Sequence, residues 1–300
     1  MADVVEHVIN ILVSGLLQGS VYALMALGLA VIFGVMNISN FAHGEMYMVG
    51  AYAAYFAFST LDLPPLMALA ASIVAGIALG MILQLGTFYP LRLRTRENWI
   101  MNAFLVTVGI SFVLQNGAQA IWGAKYMGIT AYWEGSVKIL GLGISYDRLA
   151  SAALSILCIV AFWLFLGRTK VGRAIRAVSQ DETGAKLMGI NLTRIQTLAF
   201  SLSSAMVALA GASLLSVTPA YPTMGGTSLN KSWFVVMLVG MGKIGPSILG
   251  GFLVGLLESV TFAVFGAGWQ SVVTLVILVF MLVWKPSGLF GAEVKGIWER

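Results

Sequence analysis

The stretch INILVSGLLQGSVYALMALGLAVIFGV, Ile9–Val35, contains no charged residue. As a helix rising about 1.5 Å per residue, it exceeds the ~30 Å hydrocarbon layer of a bilayer. The rest of the chain repeats this character. Of its 300 residues, 59% are hydrophobic and 10% charged, whereas a soluble domain carries about 25% charged residues. Further apolar runs fall at Phe41–Thr60, Pro65–Tyr89, Trp99–Trp122, Leu149–Leu166, Gln196–Val217, Leu229–Met241, Pro246–Val264 and Trp269–Trp284. The expected fold is an all-α polytopic membrane protein, one domain over residues 1–300. It has about eight transmembrane helices plus a short broken or re-entrant segment. That segment is Leu229–Met241, too short to cross upright. The Gly242–Pro246 break after it either reverses the chain or kinks one bent helix.

Met1–Asn10 has no Lys or Arg. It therefore lacks the basic start of a cleavable signal, and the first apolar segment is expected to be retained. Basic residues set the orientation. Arg92, Arg94 and Arg96 share one loop; Arg168, Lys170, Arg173, Arg176, Lys186 and Arg194 share another; Lys285, Lys295 and Arg300 lie in the tail. With Lys243 they form the larger set, expected on the cytoplasmic side. Lys125, Lys138, Arg148 and Lys231 form the smaller, outer set. The N-terminus then lies outside and the C-terminus inside. The +5 net charge reflects cytoplasmic loops and gives no reason to expect a nucleic-acid partner.

Glycine pairs at Gly15/Gly19, Gly76/Gly80 and Gly251/Gly255 each fall on one helix face, which lets backbones approach in lipid. No short-period repeat is present. Trp99, Trp122, Trp269 and Trp284 fall at span ends, as interfacial aromatics do. The lone cysteine, Cys158, excludes an internal disulfide and any Cys-based metal cluster; it reads as a small buried hydrophobe.

The most polar stretch is KVGRAIRAVSQDETGAKLMGIN, Lys170–Asn191, within a loop over residues 167–195. Ser179 stands three residues before Glu182, the spacing of a capping box. Gly189 suits a left-handed C-cap. The spacing predicts a helix over Gln180–Met188, too short to hold alone in water. Its apolar side is Ala185, Leu187 and Met188, kept flat by Gly184. Ala174, Ala177 and Val178 form a second small stripe. A small apolar face ringed by charge fits a docking helix, since interfaces keep charge to the rim. A solvated connector with ordinary caps is the alternative.

Three stretches carry a family resemblance: GLLQGSVYALMALGLAVIFGVMNISNFAHGEMYMVGAY (Gly15–Tyr52), VGRAIRAVSQDETGAKLMGIN (Val171–Asn191) and GMGKIGPSILGGFLVG (Gly240–Gly255). The sequence resembles the membrane subunits of bacterial ABC importers for branched-chain amino acids, the LivH/LivM permeases, and the LivH side more closely. The resemblance implies a permease in the bacterial inner membrane. Two cytoplasmic ABC ATPase subunits, a second permease (paralogue or identical copy) and an extracytoplasmic solute-binding protein are its implied partners, with membrane lipid around it. No cofactor is expected in this chain; ATP would be bound by the partner subunits. The implied substrate is Leu, Ile or Val, or a related amide, urea or carboxylate. The polar loop resembles the coupling helix that sits in a cleft of the ATPase. Importer permeases carry Glu-Ala-Ala, three residues, then Gly. Here Thr183, Gly184 and Ala185 match, then Lys186-Leu187-Met188, then Gly189. Thr183 replaces the Glu, with Glu182 one place earlier. The expected coupling set is Ser179, Glu182, Thr183, Gly184, Ala185, Leu187, Met188 and Gly189.

The residues carry no nucleotide motif of their own. In MLVGMGKIG, a phosphate loop would need Gly at Met237 and Ser or Thr at Ile244. Asn40, His43 and Glu45 open the second span, and Glu258 lies within a later one. Ionisable groups inside a membrane are functional candidates, so these four are the candidates for the translocation path. An interfacial cap for Glu45 and an interhelical bond for Glu258 are the structural alternatives. With His7 the only other histidine, a metal site is not expected. The rival function is a stand-alone ion-coupled transporter or channel, which would carry more intramembrane acids or an inverted repeat.

Overall fold

The computed structural model describes residues 2–95, 99–139 and 142–291. Arg96, Lys295 and Arg300 of the charge set lie outside the described residues. Among the described residues, seven helices are long and apolar enough to cross a membrane. They are α1 (Ala2–Met36), the continuous helix Pro65–Arg94, α5 (Trp99–Trp122), α6 (Tyr146–Arg168), α9 (Leu192–Ser213), α11 (Ile244–Phe265) and the helix ending in α12 (Gln270–Trp284). In Pro65–Arg94, α3 (Pro65–Leu83) runs through a π turn, Gln84–Phe88, into α4 (Tyr89–Arg94). An eighth helix, α2 (His43–Tyr55), is extended by a π turn to Thr60. The short segment is α10 (Met224–Val239). Between α6 and α9 lie α7 (Lys170–Gln180) and α8 (Glu182–Leu187).

The short segment is a separate helix. It begins at Met224, earlier than expected, because Gly225, Gly226 and Thr227 dilute its apolar pattern. The break falls at Gly240 and Gly242, whose φ of 107° and 76° favour glycine. Pro246 sits inside the first turn of α11, where a missing N–H costs nothing. The chain therefore reverses, and Val235 and Val239 of α10 pack on Gly250 of α11. This corrects the expected break at Gly242–Pro246. It also moves Lys231 from the outer set of loop charges into the bundle, where it is buried.

The glycine pairs are the helix crossings. Gly15 and Gly19 of α1 meet Leu256 and Phe252 of α11, while Gly251 and Gly255 rest on the backbones of Ala23 and Gly19. Gly76 and Gly80 of α3 meet Ala205 and Ser201 of α9. These two pairings, α1 with α11 and α3 with α9, are the most extensive in the molecule. The pattern is reciprocal: α2 packs on α9 as α10 packs on α1, and α2 and α10 touch each other. Carrier folds of several kinds share such reciprocity, so it does not by itself separate the two functional readings. α1 and α9 are almost wholly enclosed, whereas α5 and α12 present most of their surface outward.

Among the described residues, the main departure from an all-α chain is a small hairpin. It pairs β1 (Ser136–Ile139) with β2 (Leu142–Ser145) antiparallel, Val137 opposite Ile144. Asp147 anchors it: its carboxylate accepts the backbone N–H of Trp133 at 2.9 Å and of Tyr132 at 3.2 Å. Cys158 is half-buried on α6.

A side chain at Gly251 would overlap the Ala23 backbone, whereas one at Gly109 meets nothing within 4 Å. Gly251→Val is expected to lower stability by about 1–3 kcal/mol, and Gly109→Ala is not. Thermal unfolding of the detergent-solubilised protein checks this. Equal stability of the two variants would contradict the glycine crossing.

Candidate functional site

The polar loop is mostly helical. Thr169 caps α7, its Oγ1 accepting the N–H of Gly172 at 2.9 Å. Gly172 sits against Phe165 and Leu166 with no room for a side chain. Gly172, Ile175 and Val178 are buried, one stripe at helical spacing. This replaces the expected stripe of Ala174, Ala177 and Val178. Ser179 belongs to α7, where its Oγ donates to the Arg176 carbonyl at 2.8 Å. The expected capping box therefore does not form. Asp181, extended at φ −151° and ψ 103°, stands at the N-cap of α8 instead. The helix expected over Gln180–Met188 shrinks to Glu182–Leu187 because Asp181 breaks the run from α7.

The end of α8 matches expectation. Gly189 has φ 80°. Its N–H donates to the Lys186 carbonyl, and that of Ile190 to the Ala185 carbonyl, at 3.0 and 3.1 Å. These two bonds form a Schellman turn. Glu182 pairs with Arg92 at the end of α4, and Arg92 also lies 4.9 Å from the centre of the Trp99 ring. The sequence placed Arg92 and Glu182 in separate loops and gave no sign of this staple. Gly184 faces the exposed Asp181 carboxylate, which would have to shift to admit a Cβ. Ala185 is buried against its own chain at 5% exposure, while Leu187 and Met188 are 83% and 84% exposed. The expected apolar side is thus split. Ala185 holds the helix down, and Leu187 and Met188 project outward beside exposed Thr183.

The path candidates fall into two clusters. Asn40, His43 and Glu45 stand together where α2 begins inside the bundle. Asn40 Oδ1 accepts the Ala42 N–H at 3.1 Å. His43 Nε2 lies 3.0 Å from the Met25 carbonyl; a carbonyl only accepts, so Nε2 carries the hydrogen. Glu45 Oε1 accepts from Ser111 of α5 at 2.9 Å. Its carboxyl group occupies the space that a Cβ at Gly225, in the first turn of α10, would fill. Glu45 thus sits in the first turn of α2 and beside the first turn of α10, with one carboxylate oxygen lacking a hydrogen-bond partner among the described residues. Phe41 closes the cluster between Phe104 and Trp233, with ring centres at 5.0 and 5.7 Å. Ser111 and Gly225 were not legible as partners, since both lie far from Glu45 along the chain.

Glu258 belongs to the other cluster. Its Oε2 accepts from the Tyr22 hydroxyl at 2.8 Å, and Oε1 pairs with Lys231. Gln18 in turn donates to Tyr22 at 2.6 Å. The group ties α1, α10 and α11 together at depth, with both charges paired as burial requires. A cavity of about 120 Å³ lies beside it, lined among others by Gln18, Tyr47, Tyr221 and Lys231. Lys231 is the functional-site residue that sequence reasoning misplaced. Its position two residues into the span Leu229–Met241 was the available signal.

The family described as "Branched-chain amino acid transport system / permease component" has a model that matches residues 11–282. The chain belongs to this family. The high-affinity branched-chain amino acid transport system permease protein BraD of Pseudomonas aeruginosa is 33% identical, covering 96% of this chain and 97% of the relative. LivH of Escherichia coli K12, named for the same transport, is 28% identical over 93% of this chain and 94% of its own length. The ribose import permease protein RbsC of Escherichia coli K12 is 26% identical over 84% and 77%. This permease is accordingly a multi-pass membrane transport subunit and not an enzyme.

The buried pair makes a sharp energetic expectation for the permease. Lys231→Met leaves Glu258 charged and unpaired, at a cost of about 3–5 kcal/mol. Changing both Lys231 and Glu258 to Met removes the uncompensated charge and is expected to cost less. A double-mutant cycle on thermal stability measures the difference. Additive single losses would show that the two groups do not act as a pair.

Proposed function

We propose that this permease forms half of the membrane pathway of an ABC importer for branched-chain amino acids or related small polar solutes. A second permease, a paralogue or an identical copy, completes the pathway. Two ATPase subunits dock at the α7–α8 end, which is cytoplasmic, and a solute-binding protein delivers substrate at the hairpin end. The N-terminus then lies outside and the C-terminus inside the bacterial inner membrane. ATP shifts the pair between outward and inward states through its differential affinity for them.

The observation that carries the reading is the tip of α8. Leu187 and Met188 are apolar, adjacent and almost fully exposed. A Schellman turn fixes them from below, and the Arg92–Glu182 pair braces the start of their helix. Isolated exposed apolar residues are ordinary. A braced apolar tip on the most polar loop of the chain is what an ATPase cleft would grip. Ser179 and Ala185 act within the permease, and Thr183 and Gly189 flank the tip.

ATP chemistry then resides in the ATPases. In support, the phosphate-loop lookalike Met237–Gly245 runs from the end of the helix α10 into the start of α11, with a helix and not a strand leading into it. The path itself is proposed to run by the α5–α10 face. Thr227 and Asn230 of α10 and Asn116 and Gln119 of α5 are exposed there on helices of an apolar bundle. Lipid is a poor neighbour for such groups, so water or the second permease covers them. Glu45 lies between these helices, and Asn40 and His43 hold the start of α2 in place.

Changing Leu187 and Met188 to Asp places charge in the docking contact. It should weaken ATPase binding by about 3 kcal/mol, on the order of 100-fold, at normal membrane levels. Ala185→Glu should instead lower the amount of folded protein, because Ala185 packs inward. Co-purification of the ATPase with each variant and membrane abundance separate the two. Full ATPase binding and uptake by the Asp variant would show that α8 is not the coupling element.

A further inference from the structure

A second surface at the α7–α8 end has no role in the pathway described above. A cavity of about 430 Å³ opens between α1, α6, α7 and the start of α11. Buried Leu27, half-buried Ile248 and exposed Trp163 are among its apolar lining, and exposed Arg176 and Lys243 form its charged rim. Both cations are exposed, and neither has an ion-pair partner among the described residues. The first N–H groups of α11, at Ile244 and Gly245, belong to the same rim. The first turn of a helix has no internal acceptor for such groups, so they add to the positive field.

The wall and rim together select for an amphiphile. The rim suits a phosphate monoanion, and the wall suits a hydrocarbon chain. Trp163 lies in the last turns of α6, the depth at which tryptophan marks the membrane interface. Leu27 lies deeper, well before the end of α1 at Met36. The cavity therefore runs from headgroup level into the hydrocarbon. We propose that it seats an anionic phospholipid. Arg176, Lys243 and the start of α11 hold the headgroup phosphate, and an acyl chain lies along Trp163, Ile248 and Leu27. Basic pockets between helices at a cytoplasmic face bind such headgroups by the same electrostatics.

The site has a mechanical consequence. Arg176 is on α7, which leads directly into α8. Lys243 is in the turn between α10 and α11. Behind them Gly34 of α1 lies close to both elements: a Cβ placed there would stand 3.7 Å from Ser179 and 3.3 Å from the Gly242 carbonyl. A lipid phosphate shared by the two cations fastens the docking element to the α10–α11 turn, and so to the helix that bears Glu45's neighbour Gly225.

Native mass spectrometry of the purified full-length chain, with phosphatidylglycerol and phosphatidylcholine in equal amounts, tests this. The unchanged protein should retain phosphatidylglycerol preferentially. Each cation near an anionic surface contributes about fivefold. Arg176→Gln with Lys243→Gln should therefore reduce the preference roughly 25-fold. Arg173→Gln, on α7 but not lining the cavity, should leave it unchanged. Excess inorganic phosphate should not displace the lipid, because the acyl wall holds it. Displacement by inorganic phosphate would overturn the proposal in favour of a free-phosphate site. An unchanged lipid preference in the double variant would also overturn it. If that variant instead lost the ATPase while keeping the lipid, the rim would belong to protein docking. None of these readings depends on the Leu187–Met188 contact.

Discussion

In hydrocarbon, apolar side chains gain nothing by leaving lipid for one another, so helices associate where their backbones come close. In this permease the close approaches are α1 on α11 and α3 on α9, and both are built on glycine. Gly19 and Gly251 each rest on backbone of the facing helix. Polar groups of the bundle sit beside these two crossings. The crossings put Tyr22 of α1 beside Glu258 of α11, and Gly28 of α1 beside His43 and Ser203. They also leave room for two helices, α2 and α10, to begin inside the bundle instead of at its edge.

Those interior starts concentrate the polar chemistry. A helix that begins within the bundle brings unpaired N–H groups and a positive end to a place without bulk water. The Glu45 carboxyl lies beside both starts, and Ser111 of α5 fixes one of its oxygens. Lys231 and Glu258 satisfy each other one turn or more further along α10. The two clusters have different roles. The Glu258 group bonds α1, α10 and α11 to one another, whereas the Glu45 group lies between α5 and α10. Outside the bundle the same economy appears at α8, which has six residues and persists through Arg92, Ala185 and a Schellman turn.

Much of this was legible in the sequence. The apolar runs gave the class and most of the helices, because charge is scarce and length is constrained by the bilayer. The glycine pairs were visible as pairs, although not which helices they join. Gly189 announced its turn, since glycine is the residue that accepts a positive φ. The failures share a cause. Ser179 and Glu182 had capping spacing, but whether Ser179 caps depends on where α7 ends, and tertiary packing of Ile175 and Val178 extends α7 past it. Ala185 was grouped with Leu187 and Met188 because all are apolar. Their opposite orientations follow from how α8 lies on α9, which no local pattern records. Lys231 reads as a loop charge in the sequence because its partner, Glu258, is remote along the chain. The candidate site was therefore legible as a set of residues and illegible as a set of contacts.

The proposed importer takes its energy from docked ATPases and not from an ion gradient. Proteoliposomes containing the permease pair, loaded with ATPase subunits and supplied with the solute-binding protein, measure it directly through uptake of radiolabelled leucine. The account predicts uptake that requires ATP and persists when proton and sodium gradients are collapsed. Accumulation of leucine by the permease alone, driven by either gradient in the absence of ATPase, would contradict it.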